Sequence, residues 1–107
     1  MTVRPPQGDA RKAPVVALDY EIAQEQASAL GRLGRALEAT LAALSSHDMA
    51  GLPADGARRE LVQQASEALW YFIVQREACG LRDPRPVIRD YRVPAEVYGR
   101  MGARTPR

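Results

Sequence analysis

Three residue types that build hydrolytic sites stand side by side at Ser46, His47 and Asp48. A nucleophile, its base and the carboxylate that orients the base must converge in space from positions fixed by a fold. Adjacent side chains diverge, so we read the tripeptide as the polar loop that ends a helix. The single cysteine, Cys79, and the single histidine, His47, offer a second nucleophile–base pair. Cys79 falls on an apolar helical stripe, where a free thiol acts as a small apolar group. Glu21 and Glu25 lie one helical turn apart, a spacing that can share a metal. A di-iron bundle needs two Glu-x-x-His motifs, and one histidine cannot supply them. With Arg32 these glutamates describe a solvated face. Gly51 and Gly56 have the separation of a Walker loop, but Ala57-Arg58 replaces the required Lys-Ser/Thr. One cysteine also excludes an internal disulfide and an all-cysteine zinc site. The expectation is no catalytic residue, no cofactor and no metal.

Arginine gives the remaining chemistry. From residue 76 to the end there are eight arginines against four acidic residues. Two short helices are predicted at 84–91 and 94–101, joined at Arg92-Val93, in an arrangement like a helix-turn-helix. Arg89, Arg92, Arg100 and Arg104 are the candidate phosphate contacts. Against this, the turn carries Arg92 where glycine is usual. The second helix is hardly two turns long, and its exposed face lacks the Asn, Gln or Ser that read base edges. Weak nucleic-acid binding is therefore the alternative function, and an enzyme with an unrecognised site the third.

The elements that position these residues are helical. Leu30, Leu33, Leu37, Leu41 and Leu44 follow spacings of 3, 4, 4 and 3, one face of a helix over 19–45, which Ile22 and Ala29 extend backward. Asp19 is a suitable N-cap. Ala27, Gly31 and Gly34 share a second face. Either another helix approaches closely there or two glycines are tolerated at about 1 kcal/mol each. Gly51, Pro53 and Gly56 mark a loop, Asp55 can cap the next helix, and Gly80 suits its left-handed end. That helix spans 56–79, with Leu61, Ala65, Ala68 and Phe72 facing inward and Leu69 and Ile73 at the margin.

The run Ala68 to Val74 is apolar on all sides, so it should be buried on all sides. Trp70, Tyr71, Val74 and Ala78 lie away from the inner stripe. Either the two C-terminal helices or a second subunit must cover them. Two long helices with two apolar faces each suit a four-helix arrangement built from two chains. The candidate dimer interface is thus Trp70, Tyr71, Val74 and Ala78 with Ala27, Gly31 and Gly34.

At 107 residues, with 46% hydrophobic residues and a net charge of +2, this is one small domain. Residues 1–17, rich in Pro and charge, read as a flexible tail, 18–102 as the helical domain and 103–107 as a frayed end. No secretory signal or membrane-length apolar run is visible, which points to the cytoplasm. The run 68–83, with the later stretch 91–97, resembles a family of small uncharacterised bacterial helical proteins. The resemblance implies the fold and carries no functional residue. The sequence therefore predicts an all-α, self-associating homodimeric module without catalytic activity.

Overall fold

The computed structural model describes the backbone of residues 6–104 and the side chains of 14–101. Four helices follow one another among the described residues: α1 (Pro6–Met49), α2 (Gly56–Ala78), α3 (Arg85–Asp90) and α4 (Ala95–Arg104). The two long helices pack together, as the leucine spacing requires, and α4 packs on α2.

α1 is longer than the leucine pattern at both ends. Ser45 to Asp48 are helical, because polar residues do not by themselves stop a helix. The stop is Gly51, with φ +70. There the Gly51 amide reaches the Asp48 carbonyl and the Leu52 amide the His47 carbonyl, a Schellman ending. Asp19 is interior to α1 and caps nothing. Residues 6–17, read from the sequence as tail, are helical, and Pro14 sits inside the helix. Residues 1–5 lie outside the described part, as do 105–107.

α2 matches its predicted bounds. The Asp55 carboxylate accepts hydrogen bonds from the Ala57 and Arg58 amides, and Gly80, with φ +89, ends the helix. α3 ends in the same way, with Val93 reaching the Ile88 carbonyl and Arg92 the Arg89 carbonyl. Its left-handed residue is Arg92, with φ 53. A non-glycine residue there costs about 1–2 kcal/mol. Asp83 accepts the Arg85 amide at the start of α3. α4 runs past residue 101, its expected end, to Arg104.

The core gathers Leu37 and Leu44 of α1, Ala65, Leu69, Phe72 and Ile73 of α2, and Val87, Val93 and Val97. Leu30, Leu33 and Leu41 pack at its edge. Leu69 and Ile73 are buried rather than marginal, because α4 adds a second packed side to α2. Ser66 on that side is fully buried, and its hydroxyl donates to the Val97 carbonyl at 2.9 Å. Cys79, expected to face inward, is only half-buried, since it is the C-cap where α2 runs out.

An α-helix rises about 1.5 Å per residue, so α1 is roughly 65 Å long and α2 roughly 35 Å. The chain turns back after Met49, so α2 ends opposite the middle of α1. The first twenty or so residues of α1 therefore project past the rest of the molecule, which is 77 Å along its longest axis.

Candidate functional site

One polar cluster ties three elements together. The Arg58 guanidinium donates to Asp48 at 2.7 and 2.9 Å and to Glu96 at 2.8 Å through two nitrogens. The end of α1, the start of α2 and the start of α4 thus meet on one side chain. Both carboxyls are held below their ordinary range, first by the hydrogen bond from Arg58. The arrangement is a clasp of opposite charges in two-pronged geometry. It presents no nucleophile.

The chemistry-bearing residues do not converge. Ser46, His47 and Asp48 occupy the last turns of α1, not a loop. His47 is half-buried, with its Nδ1 buried 3.6 Å from Asp48 Oδ1 and without a hydrogen-bond partner, while Asp48 is engaged by Arg58. Cys79 Sγ accepts a 3.8 Å hydrogen bond from Gln75 of its own helix. Glu25 faces Arg32 at 3.9 Å in solvent. Among the described residues no three acidic, histidine or cysteine side chains are grouped to hold a metal.

The candidate nucleic-acid contacts are dispersed. Arg89 pairs with Asp90 at 2.9 Å, and Arg100 donates to Gln63 at 2.6 Å. Arg92 is exposed in the left-handed turn between α3 and α4, and the Arg104 side chain lies outside the described residues.

Apolar surface is the more extensive feature. On the projecting part of α1, Val15, Val16, Leu18, Tyr20 and Ile22 are each 48–65% exposed. On α2, Tyr71 and Val74 are exposed, Ala78 likewise, and Trp70 is half-buried against the Tyr71 ring at 5.5 Å. The expectation that the 68–74 run is buried on every side is not met within one chain. Helix α4 covers the Ser66 side of α2 and leaves Tyr71 and Val74 open.

The second face of α1 divides. A Cβ on Gly34 would lie 2.9 Å from the Tyr91 hydroxyl and 3.5 Å from the Phe72 ring. Gly34 therefore admits Tyr91 of the same chain, whose ring meets Phe72 edge-on at 5.5 Å. At Gly31 a Cβ would meet only the tip of Arg35, and Ala27 is exposed. Beyond Gly34, α1 and the α3–α4 turn form an open groove of about 500 Å³ lined by Leu41, Ser45, Met49, Tyr91, Arg92 and Pro94. Sequence reasoning missed this groove because Tyr91 and Pro94 join it only through the fold. It also missed the clasp, since nothing local pairs Arg58 with Glu96.

No described helix is long and apolar enough to cross a membrane. The architecture is that of a small all-helical protein, a long-helix pair bearing a short helical cap. The chain belongs to the family of unknown function DUF6665, whose model matches residues 2–107. No curated protein and no solved structure matches it.

Proposed function

We propose that this protein is a non-catalytic, self-associating helical module that works as a homodimer in the cytoplasm. The observation that carries the reading is the projecting half of α1. Its helix has five large apolar side chains in water and no neighbouring element. A lone helix of about 20 residues is marginal in water, because its stability comes mostly from packing one face. The exposed side chains fall on two faces, Val15, Leu18 and Ile22 on one and Val16 and Tyr20 on the other, and exposed apolar surface of this extent is a usual mark of a protein–protein contact. The open Trp70, Tyr71, Val74 and Ala78 side of α2 adds apolar area to the same molecule.

Sedimentation equilibrium of the full chain at micromolar concentration tests this. The expected result is a dimer, dissociated by Tyr20→Glu and unaffected by Arg89→Glu on α3, where Arg89 pairs with Asp90 of its own chain. A monomer across that range overturns the reading.

A further inference from the structure

Among the described residues, Arg92 alone besides glycine has a left-handed backbone, with φ 53. The α3–α4 turn needs that conformation, since the Val93 amide reaches back to the Ile88 carbonyl. Glycine would adopt it without strain. The backbone therefore gives no reason for arginine, and a strained residue of this kind points to work done by its side chain. Arg92 is exposed, forms no ion pair among the described residues and stands on the edge of the groove of about 500 Å³ between α1 and the turn.

Leu41, Leu44, Met49 and Pro94 give the groove apolar walls, and Ser45, Tyr91 and Arg92 are the hydrogen-bond donors along it. From the strained, unpaired cation beside apolar walls, we infer that the groove binds a small organic monoanion: a carboxylate carried on a ring or a short hydrocarbon chain. The guanidinium of Arg92 takes the carboxylate in two-pronged geometry. The hydrocarbon lies against Leu41, Leu44 and Met49, which is 86% exposed in the empty groove. The site involves neither the projecting half of α1 nor the open side of α2, so it stands apart from self-association.

Three features favour this ligand class. The first is size and lining: small-molecule sites are mostly apolar clefts of this volume with a few placed polar groups. The second is the count of cations. Arg92 is the only basic residue lining the groove, enough for one negative charge. The third is the set of carboxylates around it. Asp48 lines the groove with both oxygens held by Arg58. Glu38 and Asp90 share a smaller adjoining hollow with Arg92, and Asp90 is paired with Arg89. These acidic groups repel a dianion such as a phosphate ester more strongly than a carboxylate. A sugar or other polyol would find apolar walls where it needs hydrogen-bond partners.

Titration of the isotope-labelled full chain, followed by amide NMR, tests this with three probes: phenylbutyrate, its neutral counterpart phenylbutanol, and inorganic phosphate. Phenylbutyrate should saturate with a dissociation constant of about 1 mM or below, shifting the amides of Ser45, Met49, Tyr91 and Arg92. Arg92→Gln should weaken it about tenfold, the loss of a charge-assisted pair, and leave phenylbutanol binding unchanged. Arg92→Gly should weaken it as much while raising the melting temperature, because glycine relieves the left-handed strain. A residue that served the turn alone would not move affinity and stability in opposite directions. Phenylbutanol binding as tightly as phenylbutyrate overturns the inference, as does an affinity that Arg92→Gln leaves unchanged. Shifts gathered on Val15 to Ile22 in place of the groove overturn it, and so does a titration still linear at about 10 mM. Displacement of phenylbutyrate by an equal concentration of phosphate would show a plain anion site and overturn it as well. Arg92→Gln should sediment as the unsubstituted chain does, so each of these results leaves self-association standing.

Discussion

The two halves of α1 are one continuous helix under two different sets of forces. From about Gly31 to Met49 the helix is held by α2, by Tyr91 and by the Arg58 clasp. From Pro14 to Gln26 it carries side chains of similar size and apolarity but has no element beside it. Leu37 is fully buried, whereas Leu18 is 55% exposed. Helical spacing is thus shared by both halves, and burial is not. Amphipathic pattern shows where a helix expects a neighbour; length and the position of the loop decide whether the same chain supplies one.

The largest effect should come from truncating one leucine in each half. Leu37→Ala removes a side chain from the packed core and should cost about 2–5 kcal/mol in denaturant unfolding. Leu18→Ala should change dilute-solution stability by less than about 0.5 kcal/mol, as exposed substitutions do. Equal losses at the two sites would show that the projecting half is packed in solution as well.

A smaller contrast separates the two glycines at the border of the halves. Gly34→Ala drives a methyl group into the Tyr91 hydroxyl and should destabilise by about 1–3 kcal/mol, the range of overpacking. Removing that hydroxyl with Tyr91→Phe in the double variant should recover part of the loss. Gly31→Ala meets only the flexible Arg35 tip and should stabilise by up to about 1 kcal/mol through helix propensity. Thermal unfolding of the three variants reads both signs, and a stabilising Gly34→Ala would contradict the observed Tyr91 contact.

The smallest effect concerns the clasp, which lies on the packed half alone. Asp48 and Glu96 have lowered folded-state pKa values because of Arg58. A depressed carboxyl contributes stability above its unfolded pKa and loses it as pH falls through the folded value. Asp83, lowered to about 2 chiefly by the Arg85 side chain, acts with the same sign further into acid. Stability should therefore fall below about pH 4. Arg58→Ala should lower the melting temperature at pH 7 and lower it less at pH 3, where its partners become protonated. A constant difference across that range would mean that Arg58 acts by packing and not by charge.

Much of this fold is legible in local residue order. The leucine spacing of 30–44, the Asp55 cap, Gly51 and Gly80 after their helices and the short C-terminal pair all follow from helical period and backbone preference. Those signals act within a few residues, and local energies set them. Local order misplaced the ends of α1, because it took polarity at Ser45–Asp48 and proline near residue 14 as breaks. A solvated turn of helix continues until a residue such as Gly51 redirects the backbone.

The sequence alone determined an all-helical chain with two long amphipathic helices, and it pointed to more apolar surface than one pair of helices can cover. Only the tertiary structure decided which of that surface stays open. Tyr91 takes the Gly34 face, α4 takes the Ser66 side of α2, and Arg58 holds both Asp48 and Glu96, the latter 38 residues further along the chain. These contacts are between residues distant in sequence, and their identity depends on how far each helix runs and where each turn points. A spacing pattern names the faces of a helix, but chain geometry assigns their partners.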